Sequence, residues 1–304
     1  MAPSGEIRSD LTTEPGRARS IRLAVLIGLT LTAGAALASV PQFTSGVNVV
    51  EVYATVTDKA GKPVTGLSRE AFTVRENGEA QQIGTFAAGE FPLAVAVALD
   101  RSFSMAGDRL AAAKSGARIF LGGLRPTDES MLIAVGSTTD TLAPLSTNRR
   151  EQLDALEALD AFGTTGLYDS IVAAIEAIQP ARGRRALILL SDGDDRYSKT
   201  TADQTLERAR AADVLIYPLA LGRTRPQAFA ELATLTGGRS FHVRDARQLP
   251  ETLQAIITEL RNQYLIGYSP TKSPVAGSNE WRSIAVTVAR PDVTVRARDG
   301  YLVK

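Results

Sequence analysis

Three short stretches of this 304-residue chain carry oxygen donors in a pattern that chemistry could use. Asp100-Arg101-Ser102-Phe103-Ser104-Met105 follows the apolar run Leu93–Leu99. Ser191-Asp192-Gly193-Asp194-Asp195 follows the run Ala186–Leu190. Between them lies the glycine-rich stretch Gly163-Thr164-Thr165-Gly166-Leu167-Tyr168-Asp169. Carboxylate and hydroxyl oxygens at Asp100, Ser102, Ser104, Thr164 or Thr165, and Asp192 suit a hard divalent cation. Mg²⁺ fits best, taking about six oxygens at ~2.0–2.1 Å and keeping several waters, with Mn²⁺ or Ca²⁺ as alternatives. The chain has no cysteine and one histidine, His242, so a thiolate zinc site, a thiol nucleophile and a two-histidine metalloprotease are excluded. In an extended loop the alternate spacing of Asp100, Ser102 and Ser104 would turn all three side chains one way. A few direct ligands of modest charge would leave one metal position open to an incoming carboxylate.

Each donor also has an ordinary structural reading. Asp192-Gly193 is a common turn, Ser102 and Ser104 could cap a helix beginning near Asp108, and Thr165 could cap one beginning at Leu167. Thr164 rivals Thr165 as the donor of its stretch. A metal-dependent hydrolase or phosphotransferase could use Asp100 with Asp192-Gly193-Asp194, but Ser102 stands where a second aspartate would be wanted and only Arg101 offers a phosphate clamp. Neither G-x-S-x-G nor a G-x-x-x-x-G-K loop occurs. A third reading is a structural module whose metal staples loops. Asp194 and Asp195 read as solvated or supporting, because the EF-hand spacing is missing. Asp169 reads as a hydrogen-bonding support for its loop, and His242 as structural.

The elements that must position these residues alternate. Leu93–Leu99, Met131–Val135, Ala186–Leu190 and Val214–Leu221 are continuous apolar runs, as strands buried on both faces require. Between them run helical stripes such as Leu110, Ala113, Ala117 and Phe120, or Leu167, Ile171, Ala174 and Ile178. Pro226 marks a helix start and Gly237-Gly238 a stop. The pattern predicts a doubly wound, mostly parallel α/β sheet over residues 91–262. Ligands of such sheets bind beyond the carboxyl ends of the strands, where the strand order reverses, and the donor stretches follow those ends. The flanks differ. Val50, Val52, Ala54 and Val56 alternate with polar residues, Asn77-Gly78 predicts a type I′ hairpin turn, and Ile284–Val288 and Val293–Ala297 alternate likewise. Residues 45–90 and 263–304 are therefore expected to pair into a small antiparallel β domain into which the α/β unit is inserted. Trp281 reads as core of that domain, and Arg182, Arg184 and Arg185 as a solvated approach to a strand.

The N-terminus reads as a targeting segment. A polar stretch ends in Arg17, Arg19 and Arg22, an uncharged apolar run follows from Leu23, and Ala36-Leu37-Ala38 resembles a cleavage site. The run is shorter than the ~20 residues that span a bilayer comfortably, so residues 1–38 are expected to be a cleaved export signal, with an uncleaved anchor at 23–38 as the only membrane attachment. The mature part is then periplasmic or secreted. Its charge is balanced: removing the four Arg and three acids of residues 1–38 from the totals of 34 and 33 leaves 30 of each. That balance gives no footprint for nucleic acid.

At Asp100-x-Ser102-x-Ser104, Thr165 and Asp192 the sequence resembles the von Willebrand factor A domain family and its metal-ion-dependent adhesion site. The likeness spans roughly residues 92–262, and Thr165-x-Leu167-Tyr168-Asp169 favours Thr165 over Thr164. The resemblance implies that Ser102, Ser104 and Thr165 touch the metal, that Asp100 and Asp192 act at or just outside the first shell, and that an acidic side chain of a protein ligand completes it. It implies a non-enzymatic binding module. The whole chain is similar to a bacterial exported subgroup in which a β-rich flank precedes the domain and a Gln-Tyr-x-x-Gly-Tyr segment follows it, here Gln263–Tyr268. Phe103 departs from the family pattern, in a slot that is often glycine.

Overall fold

The computed structural model describes residues 49–303 other than 90, 274 and 276. In chain order its strands and helices are β1 (Val50–Asp58), β2 (Phe72–Glu76), β3 (Glu79–Gln81), β4 (Ile83–Gly89), β5 (Leu93–Asp100), α1 (Asp108–Gly123), β6 (Glu129–Val135), β7 (Thr139–Ser146), α2 (Arg149–Glu157), α3 (Leu167–Ile178), β8 (Arg184–Ser191), α4 (Ala202–Ala211), β9 (Leu215–Leu221), α5 (Gln227–Thr236), β10 (Phe241–Val243), α6 (Leu249–Arg261), β11 (Gln263–Tyr268), β12 (Trp281–Val288), β13 (Val293–Arg296) and β14 (Gly300–Leu302). Residues 1–38, read as an export signal, lie outside the described residues. No described helix is long and apolar enough to cross a membrane.

The continuous apolar runs form a six-stranded sheet in the order β10-β9-β8-β5-β6-β7. All neighbours are parallel except β6 and β7. Every residue of β5 is buried, because both sheet faces are covered. Leu93, Val95, Val97 and Leu99 join the core under α1, α2 and α6. Ala94, Ala96 and Ala98 join the opposite core with α3 and α5. The chain runs from β5 to β6 on one side and later returns to place β8 on the other, so the strand order reverses at β5. β7 has no counterpart among the sequence-predicted strands. It is an edge strand with little burial and contains Pro144, tolerated where one side of the ladder is unpaired.

The flanks interleave as two four-stranded antiparallel sheets, β13-β1-β11-β4 and β14-β12-β2-β3, around one apolar core. Gln263 opposes Gly89 across β11 and β4, so the chain leaves for the α/β unit and returns at neighbouring points, as an inserted unit requires. Asn77 and Gly78 both have positive φ (48° and 83°), the geometry of the predicted type I′ turn. The Gln-Tyr-x-x-Gly-Tyr segment is β11, and its polar groups are structural. Gln263 donates to Thr55, the Tyr264 hydroxyl donates to the Val64 carbonyl and accepts from the Leu67 amide, and the Tyr268 hydroxyl donates to Glu76.

Two readings of single residues are corrected. Arg184 is not solvated: it is 1% exposed, donates to the Leu260 and Phe91 carbonyls and to Gln263, and lies against the Tyr53 and Phe91 rings. The basic run hid it because burial here is satisfied by carbonyls and aromatic faces rather than by a carboxylate. Trp281 is half-buried, capped by the Arg210 guanidinium 4.1 Å from its ring centroid.

Glu76 pins the two flank sheets together. Its carboxylate takes Arg282 Nη1 at 2.9 Å and the hydroxyls of Tyr268 (2.8 Å) and Tyr301 (2.9 Å), with Glu76 and Arg282 both 5% exposed. Removing Glu76 leaves the buried Arg282 with only the partly exposed Glu280 as an ion-pair partner and two tyrosine hydroxyls without their acceptor, so Glu76→Ala is expected to lower the unfolding free energy by about 3 kcal/mol in chemical denaturation. Burial first, and then the hydrogen bond and charge of Glu76, raise both tyrosine hydroxyls, Tyr301 to about 12 and Tyr268 further. In the unfolded chain they ionise near pH 10. The stabilisation they supply is complete below pH 10 and lost as pH climbs from 10 past 12. Denaturation midpoints measured from pH 8 to 11.5 should fall with a slope that Tyr268→Phe makes shallower; an unchanged slope would refute the assignment.

Candidate metal site

The site lies beyond the carboxyl ends of β5 and β8, where the strand order reverses. Asp100 ends β5 and is fully buried. One carboxylate oxygen accepts the Ser102 amide at 2.9 Å and the other accepts the Ser191 hydroxyl at 2.6 Å. The Ser191 oxygen in turn accepts the Gly193 amide at 3.0 Å. The end of one strand is thus bonded to the turn after its neighbour. Burial raises the Asp100 carboxyl above its ordinary range and the Asp192 charge adds to this, while the bonds from Ser191 and Ser102 work the other way.

Residues 103–105 form a single 3-10 turn, so the stretch is not extended as the alternate spacing suggested. The turn still brings the Ser102 and Ser104 hydroxyls within 3.1 Å of each other. Neither caps a helix: the N-cap of α1 is Gly107, without a side-chain cap, and Ser102 precedes the 3-10 turn without one. Thr165 is 2% exposed and does not cap α3. Gly166 holds the N-cap position, and Asp195 accepts the Leu167 amide at 2.7 Å instead. The Thr165 hydroxyl has no hydrogen-bond partner among the described residues; Thr164, its rival, is less buried.

Backbone bonds stitch the three stretches into one surface. Phe103 N–H donates to Gly163 O, Phe162 N–H to Arg101 O, Gly166 N–H to Gly136 O and Arg196 N–H to Thr165 O. Asp169 accepts the Lys199 and Thr200 amides, each at 2.9 Å. It therefore holds the stretch after β8, not only its own loop. Burial works to raise the Asp169 carboxyl, but these bonds override it and hold it below its ordinary value. Asp192 is 8% exposed; it accepts the Asp194 amide at 3.2 Å and lies 3.7 Å from Arg109 Nη1.

Sequence reasoning missed Ser191, Arg109 and Ser198, whose hydroxyl accepts the Asp169 amide at 3.1 Å and donates to Asp195 at 2.6 Å. Ser191 stood beside Asp192 and was legible as a further oxygen donor at a strand end. Arg109 is one of many exposed arginines, and nothing in its neighbours marks it. Asp194 is exposed and pairs with Arg196. His242 Nε2 lies 2.9 Å from the Gly222 carbonyl, a structural bond.

The donors fit a hard cation. Among the described residues no three carboxylates or imidazoles converge; the set is two carboxylates with three hydroxyls that do no capping work. The Asp100 oxygens accept one bond each, and the hydroxyls of Ser102, Ser104 and Thr165 add three neutral oxygens to the two carboxylates.

A doubly wound sheet with hydroxyl-bearing loops at its switch point places the unit in the open α/β class. Residues 95–194, within the α/β unit, match the model of the von Willebrand factor type A domain. A solved von Willebrand factor type A structure from Catenulispora acidiphila superposes with TM-score 0.52 and 13% identity over 85% of this chain and 75% of that one, which shows a shared fold. Calcium-activated chloride channel regulator 4 of Homo sapiens is 28% identical over 165 residues, 51% of this chain and 17% of that protein. A UPF0353 protein of Mycobacterium leprae is 27% identical over 214 residues, 60% of each chain. The chain thus matches less than two thirds of the length of these relatives.

Gly193 is where the Asp192 turn has least room. Its φ is +86°, and a Cβ there would run into the Pro226 ring. Gly193→Ala is expected to destabilise the protein by about 1–3 kcal/mol in thermal or chemical denaturation. Wild-type stability in that variant would contradict the geometry of the turn.

Proposed function

We propose that this chain is a non-enzymatic binding module which captures a protein ligand through a divalent cation, Mg²⁺ by preference, held by Ser102, Ser104 and Thr165 with Asp100 and Asp192 behind them. The observation that carries the reading is that three hydroxyls, drawn from two loops and set beside two largely buried carboxylates, have no capping role. The cation would supply an electrophilic position for a carboxylate oxygen of the ligand. Hydroxyl ligands favour this because they leave more of the metal's charge uncompensated than carboxylates would. The match of residues 95–194 to the von Willebrand factor type A domain supports the same reading. Beyond Asp100 and Asp192, the groups that a hydrolytic reading would draft have other partners, Asp194 pairing with Arg196 and His242 bonding to the Gly222 carbonyl. The pattern at residues 1–38 supports action outside the cytoplasm.

Mg²⁺ should raise the melting temperature of the full chain, since a ligand that binds only the folded state stabilises it, and chelator should reverse the rise. Ser102→Ala and Asp100→Ala should each weaken Mg²⁺ affinity by about 10–100-fold in isothermal titration. Equal affinity in wild type and both variants would refute the site.

A further inference from the structure

Large apolar side chains exposed to solvent are few among the described residues, and half of them crown this one site. Phe103, Phe162 and Tyr197 are 67%, 61% and 64% exposed. Each sits on a different one of the three stitched stretches. The Phe103 amide is bonded to Gly163, next to Phe162, and the Arg196 amide, next to Tyr197, is bonded to Thr165. Phe162 also lies under the Arg101 guanidinium, 5.5 Å from its ring centroid. Three aromatic rings held outward by three loops cost solvation that a buried position would avoid.

On the side of Asp192 the surface is cationic. Arg109 lies 3.7 Å from Asp192, and its guanidinium is 3.7 Å from where a Cβ of Gly222 would stand. The Gly222 amide is bonded to Val243 O, which puts Arg223 beside Arg244. Pro226 packs on Gly193, which puts Arg225 beside the Asp192 turn. Arg223, Arg225 and Arg244 are exposed and have no ion pair or hydrogen bond among the described residues. Residues 39–304 carry equal numbers of basic and acidic side chains, and many of the other arginines are paired, so this grouping is a local field.

We propose that this face reads a polypeptide segment on both sides of its central acid: a large apolar residue on one side, seated on Phe103, Phe162 and Tyr197, and further acidic residues on the other, facing Arg223, Arg225 and Arg244. The proposal rests on the binding reading above and names its partner chemistry. A polypeptide suits the surface better than a nucleic acid, because Asp192 and Asp194 border the cationic stretch and would repel a continuous phosphate backbone. Exposed aromatics are the side chains that interfaces most often use as anchors, and complementary charge sets partner choice and approach rate.

The test uses the full chain and a synthetic peptide array with a fixed central Asp and varied flanks, probed in Mg²⁺ and in EDTA. Enriched peptides should carry Phe, Trp or Leu on one side of the Asp and Asp or Glu on the other. Phe103→Ser/Tyr197→Ser should weaken the best peptide by at least about tenfold. Arg223→Glu/Arg225→Glu should do the same at low salt and less at high salt. These side chains are exposed, and melting temperatures of both double variants verify folding. Peptides that bind in Mg²⁺ with no flank preference and no loss in either variant would overturn the inference while leaving the metal reading standing. Flank-dependent binding that ignores EDTA would keep the rim and sink the metal reading. No enrichment at all, or an oligonucleotide that outcompetes every peptide, would overturn the inference.

Discussion

A carboxylate buried at the end of a fully buried strand governs the arrangement. Asp100 cannot reach water, so its oxygens must be satisfied by neighbours. The neighbours it finds are the Ser102 amide on its own loop and the Ser191 hydroxyl on the next strand. That pair of bonds fixes the register between the two loops. Ser191 passes the constraint on to Gly193, and the Asp192 turn follows. The Thr165 stretch is fastened from both sides, by Phe103 and by Arg196. Hydroxyls that would ordinarily cap helices are left over because Gly107, Gly166 and Asp195 occupy the capping positions.

The flanks serve the same end by a different route. Residues before and after the α/β unit are paired strand for strand, so the ends of the inserted unit meet at β4 and β11. Arg184 ties the base of β8 to the last turn of α6 and to Gln263 of β11. The polar hub at Glu76 joins β2, β12 and β14 of one flank sheet to β11 of the other. The loops of the site lie at the other end of β5 and β8, away from these anchors.

Much of this was legible in the sequence. Unbroken apolar runs announced the parallel strands, alternation announced the flank strands, and Asn77-Gly78 announced its turn by type. The positions of the five proposed donors were legible because each follows a strand end or precedes a helix. What stayed hidden depended on three-dimensional context. β7 is a weakly buried edge strand with a proline, so no periodicity marked it. Arg184 is a buried cation satisfied by carbonyls and rings, and sequence offers no sign of that. Ser102 and Ser104 approach each other through a 3-10 turn rather than through an extended loop, because local backbone choice at Phe103 is set by its bond to Gly163. The cationic rim is scattered over residues 109, 223, 225 and 244, and only the approach of the β9 and β10 ends to α1 gathers it.

The most direct measurement is a crystal structure grown in millimolar Mn²⁺ with anomalous diffraction data. The account predicts one strong anomalous peak bounded by the hydroxyls of Ser102, Ser104 and Thr165, with Asp100 and Asp192 close behind it. A peak held by other residues, or none at this end of the sheet, would contradict it.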